Sequence, residues 1–257
     1  MSILMDPDAF PQAIQAVYDL LCLRPCGDDE LTQWLAPQAQ VTVPDRLTAE
    51  GSSVLRAALN KAQDFGLICR EGDTWQVAIK LHSATDYRRQ VRQGAVASQP
   101  KFVDAARWLL SQDAFEVPAE RTWDDHQKTG TELTTFISND TQFVNFRRWV
   151  VYLGLGREQA GYLMPDPSAA LLEEWPTLRP EQEMTASAFY ARVQEVLPMF
   201  PDPQHDRLPS SASFALVVLE RRKRLQFEHH ADTEKLSLTV PGLPRLFSHV
   251  RSSQVSA

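Results

Sequence analysis

The sequence predicts an α+β fold, mostly helical, in which a group of helices followed by a β-hairpin occurs three times. Two observations predict this class. Apolar residues recur at spacings of three and four along several segments, which is typical of amphipathic helices. Each group of such segments ends in short stretches with the alternation of strands, separated from the last helix by a glycine or a basic run. The 257 residues are enough for one large domain or for two to three small ones.

The first module is predicted at residues 1–82. Its first helix has an apolar stripe that consists of Phe10, Ile14, Val17, Leu20 and Leu21. A short helix in "GDDELTQWLAP" and a longer one in "TAEGSSVLRAALNKAQDFGLI" follow. Gly66 ends the longer helix in the position typical of a C-terminal glycine. We expect a hairpin at about Leu67–Ile79.

The second module is predicted at residues 101–175, and the polar stretch at residues 83–100 is predicted to be a linker before it. An amphipathic helix opens this module. A longer helix, "SNDTQFVNFRRWVVYLGL", follows and ends at Gly154. We expect the second hairpin at about Leu155–Met164.

The third module is predicted at residues 176–257, where two further helices lead to a hairpin at about Leu225–Val240. The strands of that hairpin are indicated by the alternation of Leu225, Phe227, Leu236 and Leu238. Three helices and a hairpin are typical of a winged-helix domain, a variant of the helix-turn-helix. The sequence therefore predicts three winged-helix-like modules, as an internal repeat of structure and not of close sequence.

The charge of the chain is acidic and uneven. Residues 1–80 hold 6 Lys and Arg against 11 Asp and Glu, a net charge of −5. Residues 81–175 hold 10 against 13, a net of −3, and residues 176–257 hold 10 against 9, a net of +1. Phosphate contacts supply most non-specific affinity for nucleic acid, so an acidic chain is a poor general polyanion binder. Any DNA contact must therefore come from local basic patches in the later modules.

The composition indicates a cytoplasmic protein without a membrane partner. The longest apolar runs, such as "FALVVL", are too short to cross a bilayer. The N-terminus carries acids where a signal peptide needs basic residues. The three cysteines, Cys22, Cys26 and Cys69, are expected to be buried, reduced thiols, as is usual in the cytoplasm.

Two basic patches are candidates for nucleic-acid contact. The run at Arg221–Arg224 ends the last helix of the third module, where the backbone dipole favours cations whether or not a ligand is present. A solvated helix end, a phosphate contact and an acidic protein partner all remain open. In the second module, "NFRRW" lies opposite the predicted apolar stripe, where arginine can bind guanine and asparagine can bind adenine. The predicted nucleic-acid-binding residues are Asn145, Arg147, Arg148, Arg157, Arg221, Arg222, Lys223 and Arg224.

The corresponding helix face of the first module carries polar and basic side chains too. These are Arg56, Asn60, Lys61 and Gln63. The neighbouring Asp64 and the net charge of −5 weaken a DNA-binding interpretation there.

Catalytic and metal-binding motifs are missing from the sequence. It has no nucleophile elbow, no phosphate loop, no H-E-x-x-H and no C-x-x-C. The densest polar cluster, "WDDHQ", has no partner at a catalytic spacing and is expected to be a loop or short helix. Neighbouring residues of a strand point to opposite faces, so His229 and His230 cannot chelate one metal together. We expect no enzyme activity, no cofactor and no metal.

The opening "MSILMDPDAFPQAIQAVYDLL" and the C-terminal "LERRKRLQFE…LSLTVPGLPRLFSHVRS" are similar to the DpdG-type accessory proteins. Those proteins accompany bacterial clusters that insert deazapurine bases into DNA and restrict foreign DNA. The repeated winged-helix pattern also resembles tandem winged-helix regulators and architectural subunits, including accessory partners of chromosome-organising ATPases. The DpdG-type resemblance implies a component that works beside helicases and nucleases, and it identifies no site residues.

These observations predict a non-catalytic, DNA-associated component of a multi-protein bacterial system for DNA modification and antiviral defence. Its expected partners are double-stranded DNA and proteins of a defence or chromosome-associated complex. The alternatives are a protein-interaction scaffold or adaptor with no DNA contact, and a tandem winged-helix transcriptional regulator.

Overall fold

The computed structural model describes residues 3–4, 6, 8–35, 47–231, 233–243 and 245–253, with the backbone alone at residues 47–52. Within these ranges the chain forms twelve α-helices and ten short β-strands. The strands make two three-stranded and two two-stranded antiparallel sheets. The predicted α+β class is confirmed.

The first group of elements ends in the predicted hairpin. Its elements are α1 (Pro11–Leu23), β1 (Cys26–Gly27), α2 (Asp28–Leu35), α3 (Leu47–Asp64), β2 (Ile68–Glu71) and β3 (Thr74–Val77). β1 pairs with β3, and β3 pairs with β2, so the sheet order is β1-β3-β2. Gly66 has a φ of 69° and ends α3, where its N–H donates to the carbonyl of Gln63. That left-handed conformation is favourable for glycine.

The stretch predicted as a linker, residues 83–100, contains α4 (Ala84–Ser98). Ser83 caps this helix by accepting a hydrogen bond from the backbone N–H of Asp86. One face of α4 is buried and consists of Tyr87, Val91, Arg92, Gly94 and Ala95. The stretch is thus a packed helix and not a solvated connector. The division of the chain into separate modules stays a prediction.

The second group also ends in the predicted hairpin. Its elements are α5 (Pro100–Ser111), α6 (Trp123–Thr129), α7 (Leu133–Phe136), α8 (Asp140–Tyr152), β4 (Gly156–Gln159) and β5 (Tyr162–Pro165). β4 and β5 pair antiparallel, with Gly156 opposite Pro165. Asn139 caps α8 by accepting a hydrogen bond from Gln142 N–H.

The third group differs from its predicted pairing. Its elements are α9 (Ser168–Glu173), α10 (Trp175–Leu178), β6 (Met184–Thr185), α11 (Ala186–Val196), α12 (Ser210–Arg221), β7 (Leu225–Glu228), β8 (Leu236–Leu238), β9 (Arg245–Phe247) and β10 (His249–Ser252). β7 and β8 are strands, as predicted, but they do not form the expected hairpin at Leu225–Val240. β7 pairs with β10, β6 lies on the other side of β10, and β8 pairs with β9. Alternation predicts which side chains are buried, but it does not determine which strand lies alongside.

One connected apolar core joins the three groups. It extends from Ile3 to Val250. Phe65, just after α3, packs edge-on against Trp149 of α8, with ring centroids 5.9 Å apart. The indole N–H of Trp149 donates to the carbonyl of Ala9 at 3.1 Å, which attaches the N-terminal segment to α8.

None of the helices within the described ranges has both the length and the apolar character that crossing a bilayer requires.

Candidate nucleic-acid interface

The basic run at Arg221–Arg224 lies where α12 ends and turns into β7. The N–H of Lys223 donates to the carbonyl of Glu220 at 2.8 Å, and the N–H of Arg224 donates to that of Leu219 at 3.0 Å. This pair of hydrogen bonds is the Schellman ending of a helix. The same pair of hydrogen bonds closes α3 and α8, so the three helices share one type of ending.

Lys223 occupies the left-handed position of this ending, with a φ of 55°. Gly66 and Gly154 occupy the same position after α3 and α8, with φ values of 69° and 70°. A side chain in this conformation costs about 1–2 kcal/mol that glycine avoids. The third helix ending therefore places a lysine where the other two place a glycine.

Changing Lys223 to Gly is expected to raise the free energy of unfolding by about 1 kcal/mol, because it relieves the left-handed strain. Urea denaturation followed by circular dichroism measures this change. Lys223→Ala is the control, since it removes the charge and keeps the strain. Equal stability of the Gly and Ala variants would contradict the strain argument.

The positive charge of the basic run is not neutralised by the described residues of the fold. All four side chains at Arg221–Arg224 are exposed, and no carboxylate among the described residues pairs with any of them. The two nearest acids in the chain are already paired elsewhere. Glu220 pairs with Arg245 at 2.6 Å, and Glu228 pairs with Arg251 at 2.9 Å. The run is thus a cluster of uncompensated cations.

Asn145 does not lie on an exposed face, so that part of the prediction is wrong. It is only 2% exposed, and its side-chain amide donates to the carbonyl of Asp6 at 3.1 Å. Its carbonyl oxygen accepts a hydrogen bond from Arg148 at 3.2 Å, and Arg148 lies over the ring of Phe10 at 4.4 Å. The N-terminal segment covers this side of α8, which the spacing within the helix could not reveal.

Arg147 lies on the side of α8 that faces the hairpin, Arg157 lies in β4 of that hairpin, and both are ion-paired. Arg147 is 20% exposed in its side chain and pairs with Glu158 at 3.0 Å. It also donates to the carbonyl of Gly161 at 3.0 Å, so it fastens the β4–β5 hairpin to α8. Arg157 is half-exposed and pairs with Asp166 at 3.3 Å. Both arginines therefore form ion pairs that stabilise the fold, and their charges are neutralised by Glu158 and Asp166.

The solvent-facing positions of α8 include apolar side chains. Val144 is 44% exposed and Val151 is 40% exposed. They are seven residues apart and so lie on one face of the helix. This face suits a protein contact better than a phosphate backbone.

Lys61 of the first group also departs from the prediction. It is 1% exposed and pairs with Asp64 at 2.6 Å. Arg56 and Asn60 are exposed, as their positions predict. The first group therefore offers fewer free cations than its sequence indicates.

The "WDDHQ" cluster forms the start of α6, and its polar groups serve the fold. Asp125 accepts hydrogen bonds from the hydroxyl and N–H of Thr122, which lower the pKa of its carboxyl group. His126 is buried between Trp108 and Phe143, and burial lowers the pKa of its imidazole. Asp125 thus completes a capping box, and the His126 ring is part of an aromatic cluster.

The cysteines are all free, but they are not uniformly buried. Cys26 is buried, Cys69 is half-buried and Cys22 is exposed. Burial raises the pKa of the Cys26 thiol. The expectation of a buried thiol is therefore wrong for Cys22, which lies near the end of α1.

One cluster of polar side chains is not predicted by the sequence pattern. Glu183, His230 and His249 place one potential metal-ligand atom each within 4.8 Å of the others. The cluster does not include His229, the sequence neighbour of His230. The two true neighbours of His230 are 47 and 19 residues away in the chain, and only the pairing of β6, β10 and β7 brings them together.

Comparison with known proteins connects the chain with a protein family. No curated protein and no solved structure matches this chain. The DpdG-like family matches residues 1–233, from the N-terminal segment through all twelve helices to the loop after β7. That match confirms the resemblance to the DpdG-type proteins, and residues 234–252 of the C-terminal segment lie beyond it. Membership connects the chain with a DNA modification system. Since the match covers most of the sequence and every helix of the core, the chain belongs to the DpdG-like family.

Proposed function

We propose that this protein is a non-catalytic, DNA-associated component of a multi-protein bacterial DNA modification and antiviral defence system. The observation that carries the DNA contact is the uncompensated basic run at Arg221–Arg224. Four neighbouring cations at a helix end suit the phosphate backbone of a duplex, where each contact releases counterions. The proposed partners are double-stranded DNA and other proteins of the system, in the cytoplasm.

The element order supports a winged-helix interpretation of the first two groups. In each, a helix ends in a Schellman turn and a two-stranded hairpin follows directly. In the first group, a short strand before α2 pairs with the second strand of the hairpin. Winged-helix domains use such a helix and hairpin to contact DNA or a protein. The third group does not fit the hairpin part of this interpretation, because β7 pairs with β10.

The second candidate function is a protein-interaction scaffold without DNA contact. The exposed Val144 and Val151 on α8 and the net charge of −5 in residues 1–80 favour it. The pairing of Arg147 with Glu158 favours it too, since α8 then presents few free cations. The two functions differ in one measurable property, which is salt-dependent binding of DNA.

The test is the variant Arg221→Ala/Arg222→Ala/Arg224→Ala. Wild type is expected to bind a labelled duplex in fluorescence anisotropy, with an affinity that falls as salt rises from about 50 to about 200 mM. Removing three phosphate contacts should weaken binding at least about tenfold at the lower salt. It should also flatten the slope of log K against log salt by about 2.7, at about 0.9 per contact. The loss should be similar across sequences, as expected for contacts to the backbone.

A matched control removes the same charge elsewhere. Arg24, Arg70 and Arg107 have half-exposed side chains and each pairs with a nearby acid. Changing these three to Ala brings the net charge to the same value as the test variant and should leave the salt slope unchanged. If wild type binds no duplex at low salt, the DNA proposal fails and the scaffold takes its place. An equal loss in both triple variants would also reject the proposed patch.

A further inference from the structure

We propose that Glu183, His230 and His249 form a binding site for a divalent transition-metal ion such as Zn²⁺. Glu183 directly precedes β6, His230 follows β7, and His249 opens β10. β10 is the middle strand of that sheet, and His249 lies opposite Thr185 on one side and Glu228 on the other. The three side chains thus lie at or just beyond the ends of three adjacent strands and meet at one end of the sheet.

The distances suit a small metal ion. The three potential ligand atoms lie within 4.8 Å of one another, and Nε2 of His230 is 3.1 Å from a carboxylate oxygen of Glu183. Zinc–ligand bonds of about 2.0–2.2 Å in a tetrahedron separate neighbouring ligand atoms by about 3.3 Å. The Glu183–His230 pair already matches that separation, and His249 needs a shift of roughly 1–1.5 Å at most to reach it.

The chemistry of the ligands selects the class of metal. Two imidazoles and one carboxylate form a ligand set that Zn²⁺ accepts in proteins, with a fourth position left for water. Imidazole also suits Cu²⁺, Ni²⁺ and Fe²⁺, whereas Mg²⁺ and Ca²⁺ prefer oxygen ligands alone. The expected order of affinity therefore places transition metals well above Mg²⁺.

Ser248 contacts both histidines through its hydroxyl group. It is fully buried, and its Oγ lies 3.1 Å from Nδ1 of His249 and accepts the backbone N–H of His230 at 2.7 Å. A proton on Nδ1 of His249, directed at Ser248, leaves Nε2 with a free electron pair. Metal-binding histidines commonly donate their other N–H to such a partner, which fixes the ring orientation and tautomer.

The sequence predicts no metal because it lacks metal-binding motifs and because His229 and His230 point to opposite faces of a strand. His229 is not part of this cluster. The rings of His230 and His249 lie 4.4 Å apart at their centroids, and the Glu183 carboxylate lies beside His230. A bound ion would join three strands that are separated in sequence by long connections. His249 lies beyond residue 233, where the family match ends, so the site is not assigned by membership.

The experiment is a titration of the full chain, free of any affinity tag and treated with a chelator, with ZnCl₂ in a calorimeter. We expect one Zn²⁺ per chain with a dissociation constant in the micromolar range or below. His230→Ala, His249→Ala and Glu183→Gln should each weaken binding at least about tenfold. Zn²⁺ should also raise the melting temperature of wild type and leave that of His249→Ala unchanged.

Two variants serve as controls in the same titration. His229→Ala removes the exposed neighbour of His230, and Cys22→Ser removes the exposed thiol. Both should bind Zn²⁺ as wild type does. The proposal is overturned if wild type binds no Zn²⁺ at about 100 μM, if His249→Ala binds normally, or if binding is lost with Cys22. Circular dichroism of each variant verifies the fold, so a lost signal reports the lost ligand.

Discussion

Replacing Arg92 with Ala is expected to lower the free energy of unfolding by about 3–5 kcal/mol. Arg92 is 1% exposed and lies on α4. Its guanidinium pairs with Glu174 at 2.9 Å and also with Glu173, and its Nε donates to the carbonyl of Leu153 at 3.2 Å. Without Arg92, the carboxylate of Glu174, itself 1% exposed, loses a buried partner and keeps only Arg89.

Urea denaturation followed by tryptophan fluorescence measures this effect. Arg107→Ala is the control, since Arg107 also lies on a helix and pairs with an acid, but its side chain is 46% exposed. Surface pairs of that kind contribute about 1 kcal/mol or less. A loss in Arg92→Ala no larger than that of the control would show that the cluster is not a buried network.

The Arg92 cluster shows why the local sequence predicts a linker where α4 lies. Its arginines are typical of a solvated connector when only the local sequence is considered. Their partners, Glu173 and Glu174, lie 81 to 85 residues further along the chain. Sequence spacing reveals contacts within a helix, at three and four residues, and it contains no information on pairs at such a separation.

The parts of the fold that local chemistry decides were predictable. Gly66 and Gly154 mark helix ends because the left-handed turn needs glycine, and a hairpin follows each of them. The third sheet was not predictable in the same way. The alternation in β7 predicts its buried face but not its hydrogen-bonded neighbour, which is β10, while β8 pairs with β9.

In the candidate site too, features set by the local sequence are predictable and features set by distant segments are not. The exposure of Arg221–Arg224 follows from its place at a helix end, which the sequence identifies. Asn145 was misplaced because the segment that buries it lies about 140 residues earlier. The cluster of His230 with His249 was missed because it exists only across paired strands.

The second large effect is expected at Gly94, on the same helix as Arg92. A Cβ added there would lie 2.6 Å from both Cα and Cβ of Phe65, which is closer than real contacts allow. Replacing Gly94 with Ala should therefore force α4 away from the end of α3 and lower the free energy of unfolding by about 1–3 kcal/mol. At an unobstructed helix position the same change would stabilise by about 0.5–1 kcal/mol, so the sign of the result is diagnostic.

Urea denaturation of Gly94→Ala, with Gln93→Ala as control, separates these outcomes. Gln93 is exposed on the same turn, so its change should have little effect on the free energy of unfolding.

The same experiment tests whether the three groups of elements unfold independently. Phe65 packs on Trp149, so displacement of α4 disturbs the contact between the first and second groups. We expect one transition, shifted as a whole, when it is followed by both fluorescence and circular dichroism. A shift confined to part of a biphasic transition would instead favour separate modules, and a more stable Gly94→Ala variant would reject the close approach of α4 to Phe65.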